Sequence, residues 1–187
     1  MAFLSKKEIE KLGFKSIGEN VLVSDKCSVY NASEISLGSN VRIDDFCILS
    51  AGTGGIYIGN NVHIACYVSL IGKERIEICD FAGISSKCAI YSSSDDYSGN
   101  YLTGPSVPDK FRNVDSREVV LKEHSLLGAM CVVLPGVIIG KGTAVGAFSL
   151  VNRSLPTHSI ASGIPAKVVK KRESKLYDLE IEYKKTV

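Results

Sequence analysis

An all-β solenoid, triangular in section and built from short parallel strands, is the fold this sequence predicts, and three observations lead to it. The first is a six-residue beat of aliphatic residues, clearest at Leu121, Leu127, Val133, Ile139, Val145 and Val151, with Gly128, Gly140 and Gly146 each following an anchor. The same beat runs through Ile17, Val23, Val29, then Leu37, Ile43, Leu49, then Ile58, Ile64, Leu70, then Ile78, Ile84, Ile90. A fixed period held this long marks one small unit stacked repeatedly, and six fits neither a helix nor a simple alternating strand. With Ile17, Leu37, Ile58, Ile78, Leu121 and Ile139 as a first column of anchors and Val23, Ile43, Ile64, Ile84, Leu127 and Val145 as a second, the second observation is that positions four after a first-column anchor are small or β-branched: Val21, Val41, Val62, Ala82, Ser125 and Thr143. The third is that Cys27, Cys47, Cys88 and Cys131 all fall four after a second-column anchor, with Val68 and Ser149 completing that column. These thiols read as small apolar fillers of one interior edge. Cys66 and Cys79 lie off it, and neither forms a C-x-x-C pair.

The elements follow in chain order. Residues 1–16 form an N-terminal helical cap, with Ser5 as N-cap of a short helix that closes the open end of the coils. Residues 17–166 form the solenoid, about 18 residues per three-sided coil. Between Ile90 and Leu121 the spacing fails, and residues 91–118, rich in Ser, Asp, Gly and Pro, are thrown out as a large loop. A loop of that size leaving a regular array is more often functional than idle. Residues 167–187 form a charged, helical C-terminal tail that covers the other end or packs on a neighbouring chain.

Composition excludes several classes. A net charge of +2 argues against a dedicated nucleic-acid or membrane-surface binder. No apolar run approaches the ~20 residues needed to span a bilayer. With no signal peptide at the N-terminus, the cysteines fit a reducing cytoplasm.

The repeats, the extruded loop, and the stretch from Leu134-Pro135-Gly136-Val137 through Gly146-Ala147 to Gly163-Ile164-Pro165-Ala166-Lys167 carry a resemblance. The chain is similar to the left-handed parallel β-helix acyltransferases of the hexapeptide-repeat superfamily. More narrowly, it resembles the galactoside and maltose O-acetyltransferases and the sugar acetyltransferases of surface-polysaccharide pathways. That resemblance implies a homotrimer with three interfacial sites, acetyl-CoA as cosubstrate, and a sugar or sugar-nucleotide acceptor. It places the pantetheine arm against backbone N–H groups at Ala129 and Ala147. Asn152 and Arg153 continue the groove, Pro165 faces the adenine, and Lys167 and Lys170 lie near the nucleotide's phosphates. The loop residues Asp95, Asp96, Tyr97, Asn100 and Tyr101 offer the groups that sugars require, and Arg112 would meet an acidic or phosphorylated acceptor.

The resemblance breaks at the expected general base. Asp95 stands where the related enzymes have the His of a His-Pro pair, and Asp45 where they have an active-site Asn. Three repairs remain open: Asp45, Asp95 or Asp96 acts as base; His63 or His124 does so, both read as facing outward; or the acceptor is an amine that carboxylates hold and orient. The leading expectation is sugar O-acetylation, with N-acetylation of a nucleotide-linked amino sugar as the alternative. A γ-type carbonic anhydrase would need three zinc-binding histidines, and the phases of His63, His124 and His158 do not form that set, so no metal is expected. A non-catalytic scaffold or regulatory subunit is the remaining alternative.

Overall fold

The computed structural model describes residues 2–186, so the outermost residue of each terminal expectation lies outside it. The six-residue beat becomes three sheets of six, eight and six strands, parallel throughout except for the last strand of the second. The first sheet stacks Ser16–Ile17, Ile35–Leu37, Ile56–Ile58, Ile76–Ile78, Val119–Leu121 and Ile138–Ile139. The second begins Leu22–Val23, Arg42–Ile43, His63–Ile64 and Gly83–Ile84, and the third begins Ser28–Tyr30, Ile48–Ala51 and Ser69–Gly72. The three anchor columns pair in register, as in Ile43 with Ile64 and Ile64 with Ile84.

The anchors fill the prism. Ile43, Ile64, Leu70, Ile78, Ile90, Leu121 and Leu127 are fully buried, and each such side chain contributes roughly 1.5–3 kcal/mol relative to an exposed one. Cys47, Cys88 and Cys131 are buried free thiols, and Cys27 is half-buried. The Cys47, Cys88 and Cys131 thiols each donate to a backbone carbonyl of the adjacent corner at 3.1 Å. Burial pushes the Cys27 thiol up to about 12 and Cys47 to about 11, so both stay protonated and inert.

Two of the three corners turn through a left-handed residue in most coils. At the first corner, between the first and second sheets, these are Asn20, Asn40, Asn61, Phe81, His124 and His158. Asn is the residue best suited to this backbone, and Asn20, Asn40 and Asn61 form an amide ladder at 3.1 and 3.2 Å. At the second corner, between the second and third sheets, they are Phe46, Tyr67, Lys87, Met130 and Phe148. The third corner, between the third and first sheets, releases the large loop, whose neck is closed by antiparallel pairing of Ser93–Ser94 with Asp115–Ser116.

The termini are partly as expected. Helix α1 spans Lys6–Lys11, with Ser5 and Glu8 forming a reciprocal capping box. The tail, in contrast, is not helical throughout. Ala166–Lys171 is a strand that turns back at Gly163-Ile164-Pro165 and pairs antiparallel with Ser159–Gly163. The adjacent β-branched Val168 and Val169 favour extended chain, and the strand pairs the last open edge of the second sheet. Helix α2 begins only at Leu176 and runs Leu176–Tyr183. It lies along the first corner: Glu180 bonds His124 at 2.7 Å, and the Tyr183 hydroxyl donates to Asn61 at 2.9 Å.

Candidate active site

The corners separate the expected site residues into groups. At the second corner, Asp45, Cys66, Ser86, Ala129 and Ala147 form one column, one residue per coil. The carbonyls of the first four are used, as where Met130 N–H donates to Ser86 O and Phe148 N–H to Ala129 O, at 3.0 and 2.9 Å. The N–H groups of Ala129 and Ala147 have no acceptor among the described residues. Short side chains leave these amides open to an extended ligand. Gly128 permits the close stacking, since a Cβ there would lie 2.5 Å from Ala147 N. Gly163 N–H donates to the Ser149 hydroxyl at 3.0 Å, which brings the hairpin tip with Pro165 to the same corner. Lys167 and Lys170 follow on its outer strand, both exposed.

Asn152 belongs elsewhere. It lines a cavity of about 350 Å³ at the third corner, together with Leu134, Pro135 and the loop residues Asp95, Asp96 and Tyr97. Ala129 and Leu134 stand at opposite edges of the third sheet, with the left-handed turn at Met130 between them, so the sheet separates this cavity from the amide column by less than the ~18 Å that five residues can reach. Arg153 is exposed next to Asn152.

The loop cavity is acidic and contains no histidine among its lining residues. Asp95 accepts a long hydrogen bond of 3.3 Å from Gly104 N–H. Asp96 accepts from the Ser98 hydroxyl at 2.5 Å and from Ser98 N–H at 2.8 Å, and the hydroxyl bond holds its carboxyl below the usual range. Asn113, Asp115 and Arg117 also line the cavity, with Arg117 bidentate on Asp115 at 2.8 and 2.6 Å. These three were not among the expected residues. They arrive from the far side of the loop, and no local spacing relates them to Asp95. Asn100 and Tyr101 line a separate recess with Leu102 and Phe111. Arg112 pairs with Asp109 and donates to Gly104 O at 3.3 Å, so it braces the loop.

The histidines belong to neither the loop cavity nor the amide column. His63 points outward from the second sheet, its Nε2 bonded at 2.8 Å to the buried Asp44. Burial would raise the Asp44 carboxyl, but bonds from Arg42 and His63 outweigh it and hold the group below its ordinary value. His124 sits at the first corner rather than open to solvent, stacked on Phe81 at 5.0 Å and covered by α2, with its side chain only 10% exposed. The residue faces outward as expected, but the docked helix closes over it. His158 lies beside Tyr177 at the same corner. Asp45 stands in the amide column, three coils from Ala129. The Ser24 hydroxyl and Lys26 hold its carboxyl below the usual range, which makes it a weak base.

A three-sided β-helix with an exposed amide column, a basic hairpin at its C-terminal end and an acidic loop is the architecture of an acyl-group transferase. No family model matches the sequence. Whole-chain relatives do. The dTDP-4-amino-4,6-dideoxy-D-glucose acyltransferase of Escherichia coli is 47% identical over 184 residues, covering 98% of this chain and 96% of that one. A protein of E. coli K12 named as a lipopolysaccharide biosynthesis O-acetyl transferase, WbbJ, is 33% identical over 165 residues, covering 81% and 80%. AntD, an N-acyltransferase from Bacillus cereus solved with dTDP and 3-hydroxybutyryl-CoA, superposes with a TM-score of 0.94 at 48% identity, covering 98% of this chain and 97% of that one. The chain therefore belongs to the hexapeptide-repeat family of sugar acyltransferases. Among the described residues, no cluster of three or more His, Cys, Asp or Glu is arranged to hold a metal ion, and no helix is long and apolar enough to cross a membrane.

Proposed function

We propose that this protein transfers an acyl group from acyl-CoA, acetyl-CoA in the first instance, to the 4-amino group of a dTDP-linked 4-amino-4,6-dideoxy sugar. The observation that carries this reading is the acidic loop cavity around Asp95, which no histidine lines. A hydroxyl must lose its proton as it attacks a thioester, and that calls for a base such as His. An amine needs only to be neutral and oriented, which suits carboxylates that accept its N–H bonds. The E. coli and B. cereus relatives, named for or solved with this class of acceptor, support the same choice. O-acetylation, the leading expectation from sequence, has support from the WbbJ likeness at the level of the family.

In the proposed reaction the neutral amine attacks the thioester carbonyl. The tetrahedral oxyanion collapses with cleavage of the carbon–sulfur bond, and the amine's proton leaves with the CoA thiolate or to solvent. Asp95 orients the amine. The Ala129 and Ala147 N–H groups take the pantetheine arm, and the hairpin carrying Pro165, Lys167 and Lys170 takes the CoA nucleotide. His63 and His124 are assigned no part in catalysis, because neither lines the loop cavity in which Asp95 orients the amine.

A homotrimer completes the proposal. The amide column and the acidic cavity lie on different corners, so the loop of one copy closes on the second corner of the next, and Tyr97, 94% exposed, is free to make that contact. Nucleotide sugars and six free cysteines suit a cytoplasmic enzyme supplying surface-polysaccharide synthesis. The test is thiol release from acetyl-CoA and 3-hydroxybutyryl-CoA with dTDP-4-amino-4,6-dideoxyglucose, set against its 4-hydroxyl counterpart and free maltose. Turnover confined to the amine is the expected result. Turnover on the hydroxyl acceptors alone would return the assignment to O-acylation.

A further inference from the structure

The coil that follows the large loop turns its third corner at Leu134, Pro135 and Gly136, and Gly136 does so with a left-handed φ of +84°. The Arg117 guanidinium lies across that glycine. A Cβ on Gly136 would stand 2.7 Å from Arg117 Nη1, 3.0 Å from Cζ and 3.1 Å from Nε, so only a residue without a side chain leaves the guanidinium this seat. From there it grips Asp115 with two bonds, Nε to Oδ1 at 2.8 Å and Nη2 to Oδ2 at 2.6 Å. Asp115 stands opposite Ser94 in the neck of the loop, and Asp95 is the next residue along. The neck itself is slight: two strands of two residues each, extended by Arg117 N–H donating to Ser92 O at 3.0 Å. A two-stranded ribbon this short is marginal on its own, so something more must fix the aim of the loop.

We propose that Arg117, seated on Gly136, is a positioning residue: it clamps the returning strand of the loop to the coil behind it and so sets where Asp95 presents its carboxylate to the amine. The assignment rests on the acceptor reading given above and extends it to a residue that acts through Asp95. Exposure decides between a stabilising and a positioning role. The Arg117 and Asp115 side chains are 60% and 48% exposed, and an ion pair in that setting adds little to folding. Its bidentate fork, in contrast, fixes direction as well as distance. Opening the fork has two effects on the cavity. The neck becomes free to swing, and a misplacement of about 1 Å at a reacting centre can cost 100-fold in rate. Asp115, which lines the same cavity as Asp95 and Asp96, also loses its partner and offers the amine a third carboxylate in the wrong place.

The experiment is steady-state kinetics of the intact protein with acetyl-CoA and dTDP-4-amino-4,6-dideoxyglucose. It compares wild type, Arg117→Gln, Gly136→Ala, Asp95→Asn and the double variant Arg117→Gln/Asp95→Asn, with CoA affinity read by calorimetry on the same samples. Arg117→Gln is expected to lower kcat about tenfold or more, with the acceptor KM and CoA affinity held within about twofold. Its melting midpoint should stay within about 2 °C of wild type. Gly136→Ala displaces the guanidinium without removing its charge and is expected to lower kcat in the same way. In the Asp95→Asn background Arg117→Gln is expected to cost nothing further, because a residue acting through Asp95 has nothing left to position. Losses that multiply in the double variant overturn the proposal, as does wild-type kcat in Arg117→Gln or in Gly136→Ala. A raised acceptor KM at unchanged kcat overturns it too, by making Arg117 a direct acceptor contact, and so does a loss of kcat accompanied by lost CoA affinity, by making its role structural. Wild-type kinetics in Asp95→Asn overturns the acceptor reading itself, and the clamp with it.

Discussion

Replacing Glu180 with alanine removes the bond that ties α2 to the solenoid at its centre. The Glu180 carboxylate accepts from His124 at 2.7 Å, and the side chains are 19% and 10% exposed. A hydrogen bond to a charged group in such a setting contributes roughly 1.5–3 kcal/mol, and the partial exposure of Glu180 puts the expected loss near the lower end. For a chain of this length, about 1.5 kcal/mol lowers the midpoint of thermal unfolding by roughly 3–6 °C. The assay is circular dichroism melting at pH 7, with Glu180→Gln as the companion that keeps an acceptor and loses the charge; it should melt between the other two. The pH dependence has a defined sign. Bonds from Lys184 and then His124 hold the Glu180 carboxyl below its ordinary value. Its stabilising effect is thus fully present above the unfolded carboxylate pKa, about 4.3, and fades as pH falls through the folded value. The gap between wild type and Glu180→Gln should therefore close in acid. Equal melting of wild type and Glu180→Ala at pH 7 would falsify the view that this bond anchors the helix.

Other consequences can be measured in parallel. Asp95→Asn should lower kcat/KM for the amino-sugar nucleotide by roughly 10- to 100-fold, the value of a charge-assisted bond, with CoA affinity unchanged; wild-type turnover would remove Asp95 from the acceptor site. Gly128→Val puts a side chain where even a Cβ lies 2.5 Å from Ala147 N, so CoA affinity, read by calorimetry, should drop at least tenfold with the far-ultraviolet dichroism retained. Undiminished binding would move the pantetheine arm off this column. In a native alkylation time course at pH 8, half-exposed Cys66 should react well before Cys47, which is fully buried and whose thiol burial holds at about 11. Peptide mapping that finds Cys47 labelled early would contradict the sealed interior column.

The solenoid was legible because its period is itself the structure: each anchor from Ile17 to Val151 reports an inward-facing strand position, and the cysteine phase confirmed the interior edge. Ala129 and Ala147 could be placed on one corner for the same reason. What the period does not encode is whatever leaves it. Asn113, Asp115 and Arg117 reach Asp95 only through the closed neck of the loop, and Asn152 joins them from a coil two rungs on. The strand at 166–171 was hidden because a run of lysines and valines scores as a charged tail until an open sheet edge is there to pair with it. His124 faces outward by phase, and only the arrival of α2, about 50 residues later in sequence, converts it from a surface group into a covered one.

The separation of the amide column from the acidic loop by the width of the third sheet has a genetic consequence. If each working site takes its column from one chain and its loop from the next, a chain broken at Gly128 and a chain broken at Asp95 are defective in different halves. Co-expressed, they would assemble rings in which about a quarter of the sites unite two sound halves, so two inactive alleles would together restore activity that neither has alone.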